Sequence, residues 1–253
     1  MRKSEVMLLS PSFFKRTEKK YLITTHQAEA LLHRLRGCLQ PDRYGESTVC
    51  SLYLDTPDFR MIRASMDART YKEKLRVRCY GTTTADSTAF LEIKKKFDGV
   101  VYKRREAMPL ATAMAYLQGS PPPLDTQIMR EIDYAMHFWQ HPQPSAVIAY
   151  ERRAFFFRET PSVRLTLDAN VRYRTNRLDL ALGHEGQIIL PAETVLLEIK
   201  SDGAMPLVLA HTLDALHIFP SSFSKYGTAY LAFSHTVPPH IDQNEAKGAF
   251  CYA

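Results

Sequence analysis

Residues 72–79 read Lys-Glu-Lys-Leu-Arg-Val-Arg-Cys, so that Lys72, Lys74, Arg76 and Arg78 alternate with Leu75, Val77 and Cys79. Successive side chains of an extended chain point to opposite faces, so the four cations share one face. The pattern recurs along the chain. Glu18 and Lys20 oppose Tyr21 and Ile23; Glu92 and Lys94 oppose Leu91 and Ile93; Glu198 and Lys200 oppose Val195, Leu197 and Ile199. Arg164, Thr166 and Asp168 oppose Val163, Leu165 and Leu167, and Tyr150 shares a face with Arg152 and Ala154. A merely wet face of an antiparallel sheet mixes many polar types, whereas these faces are Arg and Lys punctuated by single carboxylates. Arg offers a bidentate fork and Lys a compact charge, which together suit a chain of phosphates. Carboxylates among them can hold a divalent ion that bridges phosphate oxygens.

Six such strands need a frame that brings their cationic faces together. The expected fold is α+β: a closed antiparallel β-barrel, or tunnel, with a charged interior and helices packed on the outside. Helical patterns over Thr25–Leu39, Leu110–Leu117, Thr126–Phe138, Pro206–Ile218 and Tyr226–Phe233 each carry one apolar stripe for that covering role. Burying one unpaired ion costs on the order of several kcal/mol, so such an interior must hold water, anions or both. The chain has 253 residues, 45% of them hydrophobic, and a formal net charge of +6, enough for a real core and a weak pointer to anionic partners. Pro121 to Pro123 interrupt the chain, but the same strand chemistry on both sides argues for one unit over 14–234, with flexible termini at 1–13 and 238–253. Cys38, Cys50, Cys79 and Cys251 are scattered without a metal-like or disulfide-like spacing, which fits a reducing cytoplasm. No apolar run reaches the roughly 18 residues of a membrane span, so direct membrane insertion is not expected.

The segments Arg16–Tyr21 (RTEKKY), Ser51–Thr56 (SLYLDT), Lys74–Gly81 (KLRVRCYG), Leu91–Lys94 (LEIK), Tyr150–Phe155 (YERRAF), Leu196–Lys200 (LLEIK) and Phe223–Tyr226 (FSKY) resemble the VTC domain. That is the polyphosphate polymerase domain of vacuolar transporter chaperone complexes and their bacterial relatives, in the CYTH or triphosphate tunnel metalloenzyme superfamily. The resemblance implies an enzyme that transfers the terminal phosphoryl group of ATP to a growing polyphosphate chain, with Mn2+ or Mg2+ required. Carried over residue by residue, it implies Arg76, Arg78, Lys94, Arg152 and Arg164 at the reacting phosphates. Lys20, Lys103, Tyr150, Lys200, Ser224 and Lys225 would bind substrate, and Glu198 would hold the metal. Lys103 sits in VYKRR, where a slip of one residue would turn Arg104 or Arg105 inward instead. The superfamily's usual Glu-x-Glu-x-Lys has Arg16 in its first position here, leaving Glu18 and Lys20 and speaking against a two-metal site on that strand.

Phosphoryl transfer asks mainly for positioning and charge neutralisation, so no nucleophilic triad is required. If water is the acceptor, the same site is a triphosphatase. A non-catalytic polyphosphate- or nucleotide-binding module is the further alternative. Single-stranded nucleic acid as partner would call for more aromatics than Tyr80 and Tyr150 on the cationic face, and for fewer carboxylates. Trp139, Phe138 and Phe155–Phe157 are read as packing residues, and Asp55 and Thr56 as the end of a strand entering a turn.

Overall fold

The computed structural model describes residues 17–68, 70–98 and 100–234. Segments 1–13 and 238–253, Arg16 and Cys251 lie outside the described residues. In chain order the elements are β1 (Thr17–Thr24), α1 (Thr25–Leu35), β2 (Leu39–Asp55), α2 (Arg60–Asp67), β3 (Tyr71–Tyr80), β4 (Thr88–Phe97) and β5 (Val100–Pro109). They continue with α3 (Leu110–Leu117), α4 (Gln127–Phe138), β6 (Gln143–Phe157), β7 (Arg164–Arg174), β8 (Gln187–Ile188), β9 (Thr194–Ser201), α5 (Leu207–Ala215) and α6 (Lys225–Ser234).

The strands form one antiparallel sheet in the order β1-β9-β7-β6-β2-β3-β4-β5, with β8 paired to β7 off this path. Its register fixes the faces. Arg76 lies opposite Tyr53 and Glu92, Arg78 opposite Ser51, Lys94 opposite Lys103, and Glu198 opposite Lys20 and Thr166. Residues directly opposite one another in antiparallel strands share a face, so the cationic rows of all these strands point the same way. The sheet curls around that face until Lys94 of β4 meets Glu18 of β1 at 3.5 Å.

The apolar rows point outward into two cores. Leu52, Leu54, Leu75, Val77, Leu91 and Ile93 pack with Leu110, Ala113 and Leu117 of α3 and Met129, Ile132 and Met136 of α4. Tyr21, Ile23, Leu165, Leu167, Leu197 and Ile199 pack with Ala28, Leu31 and Leu35 of α1 and Leu209 and Leu213 of α5. Each fully buried Leu or Ile contributes roughly 1.5–3 kcal/mol. Helix starts are set by local chemistry. Thr24 and Gln27 form a capping box at α1, and the Thr126 hydroxyl accepts from Met129 N at 3.0 Å at α4.

The structure corrects the expected closed barrel with all helices outside. Among the described residues β1 and β5 are the two edges of an open sheet, with no backbone pairing between them. The free edge of β1 is taken by another partner: Ser221 N donates to Lys20 O at 2.7 Å, and Leu22 N donates to Ser221 Oγ at 3.1 Å. The 219–224 segment therefore occupies the place a closing strand would need. It leads into α6, which packs on the cationic side of the sheet. Tyr226, Ala229 and Phe233 cluster there with Val49, Tyr53, Ile148, Tyr150 and Tyr173. The first helix also ends earlier than its pattern predicts, because Leu39 already begins β2, and α2 is an unforeseen helix.

As expected, β2 ends at Asp55 and the chain turns after Thr56, closed by Phe59 N donating to Thr56 O at 2.8 Å, and α2 begins only at Arg60. Asp55, at the end of β2, accepts from the backbone N–H of Thr56 (2.8 Å), Met61 (2.9 Å) and Ile62 (3.1 Å) and from the Tyr226 hydroxyl (2.9 Å). Trp139 Nε1 donates to Glu73 at 2.8 Å, and Phe157 is buried in the α1/α5 core, whereas Phe138 is exposed. Cys38, Cys50 and Cys79 are free thiols.

Candidate functional site

The curled sheet encloses a cavity of about 720 Å3, open to solvent. Its floor is built around two carboxylates that are almost wholly buried. Glu92 is 1% exposed, and both Nε and Nη2 of Arg76 lie 2.7 Å from its Oε2. Lys103 Nζ is 2.6 Å from Oε1, and Arg78 Nε is 4.0 Å from Oε2. Arg76 Nη1 donates to Tyr53 Oη at 2.9 Å, and Arg78 Nε donates to Ser51 Oγ at 3.0 Å. Asp168, fully buried, takes a bidentate fork from Arg152 at 2.6 and 2.7 Å and a bond from Lys225 Nζ at 2.5 Å. Such charge-assisted forks fix the guanidinium planes before any ligand arrives.

The remaining carboxylates are held more loosely. Glu198 has Lys200 at 3.1 Å, Lys225 at 3.3 Å, Arg152 at 3.6 Å and Lys20 at 3.9 Å. Glu18 has Lys94 at 3.5 Å and Lys20 at 3.6 Å. The wall is completed by Tyr150, whose ring faces Lys225 Nζ at 4.5 Å and Arg152 Cζ at 5.1 Å. Lys20 Nζ also donates to Phe223 O at 2.7 Å, tying β1 to the segment that brings Ser224 and Lys225 into the cavity.

Ionisation follows from these contacts. Burial raises the Glu92 carboxyl, but Arg76, then Arg78 and Lys103, outweigh it and hold it at about 2. Burial likewise opposes ionisation of Asp168 and Glu198, and Lys225 with its neighbouring cations keeps Asp168 low and Glu198 well below the usual carboxylate range. Lys74 is pushed down to about 8 by burial, partly offset by Tyr53 and reinforced by Lys20, Lys94 and Arg76. Lys103 is also pushed down to about 8 by burial, with Glu92 opposing and Arg76 and Arg78 adding to the shift. Burial raises the Tyr53 phenol, yet Arg76, Arg78 and Lys74 outweigh it and bring it down to about 7.

Eleven of the twelve residues expected at the site line this one cavity: Lys20, Arg76, Arg78, Lys94, Lys103, Tyr150, Arg152, Glu198, Lys200, Ser224 and Lys225. Arg164 does not; it stands exposed at the start of β7, opposite Lys200 and Phe156. In VYKRR it is Lys103 that meets Glu92, at 2.6 Å, while Arg104, which also borders the cavity, has its Nε 3.6 Å from Glu131 of α4. Lys74, Tyr53, Tyr226 and Glu18 also line the cavity. Alternation places Lys74 in the Arg76 row and Glu18 in the Lys20 row. No such signal marks Tyr226, whose ring stacks on Tyr53 at 4.6 Å.

The model of the VTC domain family matches residues 15–234. The chain belongs to the VTC domain family. Solved structures similar to this VTC domain include a candidate adenylate cyclase from Bacillus halodurans, 12% identical, with a TM-score of 0.51 over 83% of this chain and 95% of that one. Another is a candidate adenylyl cyclase from Hippeastrum, described as having a dominant triphosphatase activity; it is 15% identical, with a TM-score of 0.50 over 88% of this chain and 98% of that one. At these identities the likeness shows the fold. No curated protein sequence matches the chain. Among the described residues no helix is long and apolar enough to cross a membrane.

The donor set of the VTC domain can be tested against a divalent ion. Among the described residues no three His, Cys, Asp or Glu side chains converge as a metal cage. Glu198 is ionised, lines the cavity and is paired only at 3.1 Å and beyond. One such carboxylate fits a hard ion whose other ligands are water and phosphate oxygens, the usual arrangement for Mg2+ with a polyphosphate.

Proposed function

We propose that this VTC domain is a metal-dependent polyphosphate polymerase, transferring the terminal phosphoryl group of ATP to a growing polyphosphate chain in a cytoplasmic setting. The observation that carries the reading is the charge of the cavity. Ten Lys and Arg side chains from the sheet and the α6 segment line it against the two carboxylates Glu18 and Glu198. An assembly this cationic is stabilised by a ligand carrying several negative charges at short spacing, and a triphosphate chain is that ligand.

Arg76, Arg78 and Arg152 present fixed guanidinium donors to the phosphate oxygens, and Lys94, Lys103, Lys200 and Lys225 add compact charges around them. Charge that develops on the oxygens during transfer meets dipoles and cations already in place, which is the main form of catalysis this chemistry needs. Glu198 would hold the divalent ion, which when bound neutralises phosphate charge and orients the chain. A second cavity of about 690 Å3 adjoins the first and is lined by Lys19, Lys72 and Lys96, so cationic surface continues past the reacting centre. That continuation favours a polyphosphate acceptor over water. The triphosphatase reading draws on the activity described for the Hippeastrum protein.

Purified protein incubated with ATP and Mn2+, with products resolved by phosphorus NMR, tests this directly. Signals of internal chain phosphates are expected, and their loss in the Arg76→Gln/Arg78→Gln double variant ties them to the cavity. Glutamine is preferred to charge reversal because a carboxylate at Arg76 would face Glu92 at the same buried position. Orthophosphate as the sole product would make the protein a triphosphatase, and bound ATP without turnover would make it a binding module.

A further inference from the structure

Ser224 stands where the two cavities meet. Both are lined by Glu18, Lys20, Lys74, Lys94, Val101 and Ser224; the first continues to Arg76, Arg78 and Arg152 and the second to Lys19, Lys72 and Lys96. Lys74 Nζ donates to Ser224 Oγ at 2.8 Å. The same oxygen accepts from Gly227 N at 3.1 Å, so Ser224 also caps α6. A Cβ at Gly227 would sit 3.2 Å from both Cβ and Oγ of Ser224, and glycine there lets the first turn of the helix close tightly on the serine. A cap needs only an acceptor oxygen. It does not need a lysine on that oxygen, nor a place at the junction of two cationic chambers.

We propose that Ser224 accepts the terminal phosphoryl group of a triphosphate bound in this cavity, with Lys74 taking its proton, so that the protein becomes phosphorylated at this serine. The inference rests on reading the cavity as a triphosphate site. In the step, a lone pair of Ser224 Oγ forms the new oxygen–phosphorus bond. The bond from that phosphorus to its bridging oxygen breaks, and the nucleoside diphosphate leaves with the electron pair. The hydroxyl proton passes to the neutral Nζ of Lys74. A serine hydroxyl is a weak nucleophile until an adjacent base activates it. Lys74 faces Lys20 of β1, Tyr53 of β2, Arg76 of β3 and Lys94 of β4, and burial with these cations brings it down to about 8. At pH 7 about one molecule in ten then carries the neutral amine that can accept the proton.

The test is to mix the full chain with Mn2+ and ATP labelled in its terminal phosphoryl group, quench in acid over the first turnover, and locate the label by peptide mass spectrometry. A phosphoserine ester survives the acid. One phosphoryl group at Ser224 is expected. Ser224→Asn, which keeps a cap acceptor, and Lys74→Arg, which keeps a charge but supplies no base near neutrality, should each lower the label about tenfold or more at equal ATP occupancy, followed by calorimetry. Turnover of ATP with no label at Ser224 at any time point overturns the proposal and leaves the reading of the cavity intact. So does label that persists in the Ser224→Asn protein. Failure of the wild-type chain to bind ATP overturns the cavity reading and this inference with it, and ATP bound without any transfer overturns this inference alone.

Discussion

Replacing Glu92 with glutamine keeps the volume of the side chain and removes the one charge that Arg76, Arg78 and Lys103 share. The carboxyl is held at about 2 rather than 4.5 although burial pushes it up, which corresponds to about 3 kcal/mol of folded-state stabilisation at neutral pH. Removing one partner of a buried ion pair costs about 3–5 kcal/mol in measured cases, so the two routes agree. The folded-state pKa lies below the unfolded one, so this stability is complete above 4.5 and is lost as the pH falls towards 2. Urea unfolding at pH 7, 5 and 3 measures it. A loss of about 3 kcal/mol moves the midpoint by roughly 1 M or more for a domain of this size, and the gap between the two proteins should narrow at pH 3. Inorganic tripolyphosphate should recover more stability in the variant than in the wild type, because it supplies negative charge to cations that have lost theirs. A glutamine variant as stable as wild type at pH 7, or a gap that stays constant into acid, would refute the account of Glu92 as the anchor of the arginine row.

Lys225→Met should cost about 3 kcal/mol, read by thermal or denaturant unfolding, because it leaves the fully buried Asp168 with Arg152 alone and removes the cation over Tyr150. Lys74 and Lys103 both titrate at about 8, and each carries its charge below that value and loses it above. Tripolyphosphate affinity measured by calorimetry should therefore weaken about tenfold or more between pH 7 and pH 10, and a flat profile would remove both lysines from the binding wall. Asp55→Ala strips the partner from three backbone N–H groups and from the Tyr226 hydroxyl. It should cost about 3 kcal/mol in denaturant unfolding, whereas a loss below about 0.5 kcal/mol would show that α2 and α6 do not depend on it.

The cationic wall was legible because strand alternation is a local property. Lys74, Arg76 and Arg78 must share a face wherever the strand lies, and so must Glu198 and Lys200. Tyr150 and Arg152 followed the same rule even though the β6–β7 pairing shifts register between Ala149 and Glu151. What parity cannot tell is how far along a strand the cavity reaches, and Arg164 was placed on the right face but beyond its end. Closure of the sheet was not legible either, since it depends on which distant segment takes the β1 edge, and Ser221 takes it through two hydrogen bonds that no sequence period marks. The stripe of α6 announced a buried face without saying which side of the sheet buries it. Helix α2 was hidden because its start depends on the Asp55 carboxylate reaching N–H groups six and seven residues ahead, after Phe59 turns into the left-handed region at φ 59°.

The distribution of carboxylates divides the site into two kinds of surface. On β3, β4, β6 and β7 the arginines are bolted to buried acids: Arg76 spends Nε and Nη2 on Glu92 and Nη1 on Tyr53, and Arg152 spends Nε and Nη2 on Asp168. Neither acid can leave, because each is essentially without solvent, so these guanidinium groups meet a ligand in the geometry they already hold. On β1 and β9 the acids Glu18 and Glu198 face the cavity and hold their lysines at 3.1–3.9 Å. None of these pairs is closer than 3.1 Å, and the lysines keep a quarter to a third of their side chains in solvent. An arriving chain of phosphates can take those lysines while its ion replaces them as partner of the buried Glu198. The fixed half sets where the phosphates lie, and the exchangeable half lets them move along the trough.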